Sequence, residues 1–167
     1  HGFDKKEQER LIHQARFLEP YVYRGIELED TKRLLEVGCG VGAQSKILLR
    51  RFPDLHIDGV DFSEAQLQQA HHYLENEVRE KRIQLYQQDA LKLKMQDAGQ
   101  YDAAFLCWFL EHVPDPLLVL KNVRKQLKPG ATIYCTEVFN QTLFVEPYSP
   151  AYLQYWLEFN DYQWEIK

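Results

Sequence analysis

Between Leu34 and Ser45 the chain runs Leu-Leu-Glu-Val-Gly-Cys-Gly-Val-Gly-Ala-Gln-Ser, and the three glycines in five positions constrain the fold more than any other stretch. Leu34, Leu35 and Val37 read as the end of a buried strand. Gly38, Cys39, Gly40, Val41 and Gly42 form a tight turn, and from Ala43 the pattern is helical. A strand that breaks into glycines and restarts as a helix builds a cradle for a small molecule. Residues without a Cβ let a ligand approach the backbone. The first N–H groups of the new helix have no partner within it and point toward the ligand.

Glycine spacing alone leaves two ligand classes open. Gly38-x-Gly40-x-x-Ala43 satisfies the loose dinucleotide fingerprint, so a nicotinamide- or flavin-dependent oxidoreductase is one alternative. Glu36 shifts the balance, because a carboxylate at the mouth of this strand repels a pyrophosphate and attracts a cationic amino group. The set Glu36-x-Gly38-x-Gly40-x-Gly42 therefore suits a zwitterionic nucleoside. With this motif the sequence resembles the class I S-adenosylmethionine-dependent methyltransferases of the small-molecule type. The resemblance runs over about residues 2–138. It implies S-adenosyl-L-methionine as cofactor, S-adenosyl-L-homocysteine as product, and Cys39, Gly42 and Gln44 as further cofactor-binding positions of the turn.

Strand and helix patterns alternate along the chain. Strands are expected at 33–37, 56–60, 83–86, 101–107 and 131–137, which defines an α/β, Rossmann-like doubly wound, mostly parallel sheet. Right-handed crossovers and the glycine turn after the first strand give the order 3-2-1-4-5. A first helix spans 4–18, capped by Asp4 with Glu7 at capping-box spacing and ended by Pro20. Further helices are expected from Ala43 to Phe52, from Ser63 to about Glu80, and after Asp115-Pro116. The last of these should turn Leu117, Leu120, Val123 and Leu127 inward and stop at Lys128-Pro129-Gly130.

Candidate site residues lie at the carboxyl ends of these strands, where open parallel sheets bind ligands. Asp61 follows the second strand about 20 residues past the glycines, the position from which an acid accepts both ribose hydroxyls. Phe62 beside it can pack on a purine face. Asp58 is the competing acid but sits inside the strand on the other pleat. In the methyltransferases that the chain resembles, the turn at Asp89 and Ala90 holds adenine, and Cys107 and Trp108 lie near the sulfonium and the acceptor. Aromatic faces attract cations, so Trp108 and Phe109 are candidates to hold a positive methyl donor. The stretch Phe109-Leu110-Glu111-His112-Val113-Pro114-Asp115 is similar to the segment after strand four in that family. His112 is a candidate general base by its ordinary pKa, but the family's Glu-His pairing across unlike acceptors favours a structural role. The resemblance also makes 1–20 a lid helix, with Gln14 and Phe3 facing the cofactor's methionine part and the acceptor.

Composition removes other classes. The net charge of −5 and the lack of a basic block argue against general nucleic-acid binding. No apolar run approaches ~20 residues, so no transmembrane span and no membrane partner are expected. Cys39, Cys107 and Cys135 are far apart and fit neither a disulfide framework nor a metal site, pointing to a reduced, cytoplasmic setting. His71 and His72 lack partners at ligand spacing, so no metal is expected.

One domain is expected over 1–167, with the cofactor-binding core at 31–138 and an aromatic tail at 139–167. A helix is expected from Pro150 to about Phe159. No room remains for the C-terminal antiparallel hairpin of the methyltransferase class, so that hairpin is expected to be absent or truncated. Phe139, Tyr152 and Trp156 are the tail's acceptor-pocket candidates, implying a small hydrophobic or aromatic acceptor. A homodimer surface or a core completed by further residues are the other uses for these rings. No Asn/Asp-Pro-Pro-Tyr motif follows strand four, which weighs against methylation of nucleobase or glutamine amino groups. The function expected is direct in-line methyl transfer, with a non-catalytic cofactor-binding scaffold as an alternative alongside the oxidoreductase.

Overall fold

The computed structural model describes residues 5–138 and 145–165. The chain divides into two units, residues 1–136 and 137–167. In the first, five parallel strands take the order β3-β2-β1-β4-β5, as expected: β1 Arg33–Val37, β2 His56–Asp61, β3 Ile83–Gln87, β4 Tyr101–Cys107 and β5 Leu127–Thr136. Among the described residues no strand follows β5.

Alternation along the strands splits the apolar residues between the two faces of the sheet. Leu34, Ile57, Ala103 and Phe105 pack with helices α1 (Lys5–Val22), α2 (Ala43–Arg51) and α3 (Glu64–Tyr73). Leu35, Val60, Ala104 and Leu106 pack with α5 (Pro116–Gln126) and the crossover between β3 and β4. Asp58 belongs to the architecture rather than the site: it accepts from Arg33 at 2.9 Å and from the Tyr101 hydroxyl at 2.6 Å.

Four expectations about the elements are corrected. Pro20 does not end the first helix, which continues to Val22. Proline inside a helix removes one hydrogen bond and crowds the carbonyl four residues back, a cost of about 3 kcal/mol that packing must offset. The following turn is held by burial of Val22 and Tyr23, the Tyr23 N–H bonded to the Glu19 carbonyl and its ring stacked on Phe105 at 5.9 Å. The helix expected from Ser63 to Glu80 is two, α3 and α4 (Glu75–Arg79), because the backbone opens at Leu74 while its buried side chain fills the space over Gly42. Strand β5 begins at Leu127, paired with Tyr101; the chain then bulges through Gly130 at φ +80° before Thr132 meets Ala103, and regular pairing ends at Thr136.

The face of α5 is the fourth correction. Leu117 is 60% exposed and Leu120 only half-buried, whereas Val119, Asn122, Val123 and Gln126 face inward. Asp115 does cap the helix, accepting the Leu118 N–H at 2.8 Å. The two amides turn inward because the irregular crossover presents unpaired backbone groups. Asn122 donates to the Leu91 carbonyl at 2.9 Å, and Gln126 accepts the Met95 N–H at 3.1 Å. Buried backbone groups left unpaired would be costly, so polar side chains occupy a face that periodicity assigns to leucine.

In the second unit, α6 spans Pro150–Glu165, longer than the expected Pro150 to Phe159, with the Ser149 hydroxyl accepting the Tyr152 N–H at 3.3 Å. Tyr152 stacks on Trp156 at 6.5 Å, and Trp156 on Phe159 at 5.4 Å, the i,i+4 and i,i+3 neighbours of one helix face. Asp4, Phe3 and Phe139 lie outside the described residues.

Candidate functional site

The carboxyl ends of β1, β2 and β4 open into a cavity of about 440 Å³. Its walls are Gly38, residues 61–63, residues 88–91, Phe109 and residues 112–114.

The three glycines of the turn all adopt positive φ, but for different neighbours. A Cβ on Gly38 would lie 2.2 Å from the Phe109 ring, and one on Gly42 would lie 2.4 Å from Leu74. Those two are packing glycines. Gly40, at φ +53°, would direct a Cβ into open space, so it is the glycine whose bareness leaves backbone free for a ligand.

Glu36 is 2% exposed and accepts the Ser45 hydroxyl at 2.6 Å. Among the described residues no lysine, arginine or histidine pairs with it. Burial pushes its carboxyl up to about 8; the Ser45 hydrogen bond opposes that rise and the nearby Asp61 adds to it. Ser45 is the site residue that the sequence reading missed. Its signal was a hydroxyl on the buried face of a short helix, nine positions after the acid. Burial likewise pushes the Cys39 thiol well up, and Cys39 packs where Gly59 has no side chain.

Asp61 ends β2 with its two oxygens engaged separately. One accepts the Gly40 N–H at 2.8 Å and the other the Ser63 N–H at 2.9 Å. Burial raises its pKa, against the backbone N–H groups of Ser63, Gly40 and Phe62, which hold it down. A carboxylate offers about four acceptor positions, so each oxygen keeps capacity for a ligand hydroxyl. Phe62 beside it is 73% exposed and lines the cavity. Across the cavity, the Asp89 carboxyl caps a short turn by accepting the Leu91 N–H at 2.9 Å, and Ala90 is buried beneath it.

After β4, Trp108 has φ +51°, an uncommon conformation for a side chain of this size. It interrupts strand alternation. Cys107 and Trp108 both pack toward the core shared with α1 and α2, while Phe109 packs toward the opposite core and lies over Gly38. His112 lines the cavity, with its Nε2 3.5 Å from a Glu111 carboxyl oxygen.

Gln14 accepts from Arg10 at 2.6 Å on the surface of α1, and Gln44 accepts the Tyr23 hydroxyl at 2.6 Å. The second contact ties the end of α1 to the first turn of α2. Tyr152 and Trp156 belong to the stacked face of α6 in the second unit. Among the described residues no cluster of histidine, cysteine or carboxylate has metal-binding geometry, and no helix is long and apolar enough to cross a membrane.

A five-stranded 3-2-1-4-5 sheet with a glycine turn after β1 and acids at the ends of β1 and β2 defines the class I S-adenosylmethionine-dependent methyltransferase fold. Residues 35–133 match the methyltransferase domain family, well over half of the chain, and the chain belongs to that family. It is 34% identical over 107 residues to a ubiquinone biosynthesis O-methyltransferase of Acinetobacter baylyi, covering 64% of this chain and 44% of that protein. A ubiquinone biosynthesis O-methyltransferase of Marinobacter nauticus is 37% identical over 111 residues, with 64% and 44% covered. The chain thus spans less than half the length of these relatives. Among solved structures, a putative S-adenosyl-L-methionine-dependent methyltransferase of Methanococcus maripaludis superposes with a TM-score of 0.66 at 21% identity, covering 83% of this chain and 66% of that one. The O-MT region of StiE gives 0.63 at 25% identity, covering 78% and 46%.

Proposed function

We propose that this chain is the cofactor-binding part of an S-adenosylmethionine-dependent methyltransferase acting on a small apolar or aromatic acceptor through a hydroxyl oxygen. The observation that carries this is Glu36: a buried carboxyl without a cation, at the foot of a glycine turn whose Gly40 faces open space. That pair fits a ligand with an ammonium group, and disfavours a diphosphate.

The residues fit the cofactor in parts. Glu36 receives the amino group, Gly40 allows close approach of backbone, Asp61 accepts ribose hydroxyls, Phe62 covers the purine, and Asp89 with Ala90 borders the adenine. When bound, the sulfonium supplies an activated methyl group for in-line displacement. The protein's task is then to orient and to exclude water, since holding reacting atoms ~3–3.5 Å apart provides most of the acceleration. Phe109 and His112 line the same cavity as Asp61 and Asp89, so we assign Phe109 an aromatic face toward the cofactor and His112 a structural role rather than that of a general base. An oxygen acceptor is favoured because the ubiquinone biosynthesis relatives and the StiE region are named as O-methyltransferases.

Calorimetric titration with S-adenosylmethionine, S-adenosylhomocysteine and NAD tests the cofactor assignment. Binding of the first two and not the third is expected. Binding of NAD alone would overturn it in favour of an oxidoreductase.

A further inference from the structure

Glu36, which precedes Val37 and Gly38 of the cavity wall without lining the cavity itself, differs from the carboxyls that do line it. Asp61 and Asp89 hold backbone N–H groups; Glu36 holds only a neutral hydroxyl, and its second oxygen has no described partner. Among the described residues, the groups that act on it bring no positive charge. From the glycine turn comes the Cys39 thiol, from the end of β2 the Asp61 carboxyl, and from the segment after α1 the Tyr23 phenol, itself facing Cys107 at the end of β4. The Arg51 guanidinium lies over the Tyr23 ring at 5.4 Å rather than pairing with Glu36. A carboxylate ion in such surroundings is desolvated with only the Ser45 hydroxyl to offset the cost, so the neutral acid is the favoured form until a cation arrives.

We propose that Ser45 is a positioning residue that aims the Glu36 carboxyl at the ligand, and that binding of an ammonium-bearing nucleoside expels a proton from Glu36. This rests on the cofactor reading above. The balance is simple: the carboxylic O–H bond breaks, its proton passes to solvent, and the resulting carboxylate pairs with an ammonium that keeps its own protons. Ser45 donates its hydroxyl to one oxygen, which leaves the other for the ligand and stabilises the ion once it forms. The rise of the Glu36 pKa to about 8 is consistent with a carboxyl that is mostly neutral at pH 7 in the ligand-free protein.

The test is calorimetry at pH 7 in buffers of different ionisation enthalpy, which counts protons released per ligand bound. Three ligands are compared: S-adenosylmethionine, S-adenosylhomocysteine, and 5′-methylthioadenosine, which lacks the amino-acid part. Close to one proton is expected for the first two and none for the third. Glu36→Gln should remove the release. Ser45→Ala should move the release toward higher pH and weaken S-adenosylhomocysteine about tenfold without weakening 5′-methylthioadenosine, and Ser45→Thr should restore both; a merely structural Ser45 would weaken all ligands alike and leave the pH profile in place. Equal proton counts for all three ligands, or none for S-adenosylhomocysteine while it binds, would overturn the proposal and leave the cofactor assignment standing. No binding of any ligand to the folded protein would overturn both.

Discussion

One oxygen of the Asp61 carboxylate accepts the N–H of Gly40 at 2.8 Å, so the acid that ends β2 also fixes the glycine turn that follows β1. A residue expected to meet the ligand thus also shapes the cradle before any ligand is present. Asp61→Ala should weaken S-adenosylhomocysteine by about 1.5–3 kcal/mol, the loss typical of hydrogen bonds to a charged group, which is roughly a ten- to hundred-fold change in Kd. Unchanged affinity in calorimetry would remove Asp61 from the ribose site.

The glycines separate packing from binding. Gly42→Ala combines positive φ with a Leu74 clash, so it should destabilise the fold by about 2–5 kcal/mol, summing a left-handed residue and an overpacked contact. Gly40→Ala meets no neighbour and should destabilise by only about 1–2 kcal/mol, yet its methyl group projects into the open space and should abolish cofactor binding. Denaturant melts and calorimetry on both variants check the order; greater destabilisation by Gly40→Ala would contradict it.

Glu36 makes the ligand-free protein sensitive to base. Its carboxyl titrates near 4.5 in the unfolded chain and near 8 in the folded one, so between those values the folded state holds the extra proton. Stability is therefore fully present below about pH 4.5 and declines as pH rises through about 8, by up to about 1.4 kcal/mol per pH unit. Asp61, also raised, adds a contribution of the same sign. Thermal melts of Glu36→Gln across this range should show a shallower decline than the parent protein, and parallel curves would refute the assignment.

The inward face of α5 gives a prediction outside the site. Gln126→Leu preserves volume but strands the Met95 N–H and the Leu93 carbonyl, each an unpaired buried group costing about 1–3 kcal/mol. Urea denaturation should show a loss of that order, whereas Leu117→Gln on the exposed face should change little. Equal effects would mean the amide is not holding the crossover.

What was legible from residues alone was local or periodic. Strand alternation, the glycine turn and the Asp115-Pro116 helix start each carry their structure within a few positions, and together they yield the sheet order. Asp61 was legible because it ends a strand at a fixed distance from the glycines. The Ser45–Glu36 pair was not, since a hydroxyl on the buried face of a short helix names no partner until the helix is docked on β1. Asn122 and Gln126 face inward for a reason that lies about thirty residues away, in the carbonyls and N–H groups of an irregular crossover. Pro20 was read as a helix end by local rules, and the burial of Val22 and Tyr23 overrode them.

The left-handed backbone at Trp108 bears on any effort to stabilise this fold. Such a conformation costs a bulky residue of order 1–3 kcal/mol, and glycine would relieve it. Trp108→Gly would thus rank high in a search guided by backbone energy alone, and it would delete the ring that this torsion holds on the same face as Cys107. Selecting for hardiness at this position would trade a backbone gain against the packing of that ring on the core beneath it.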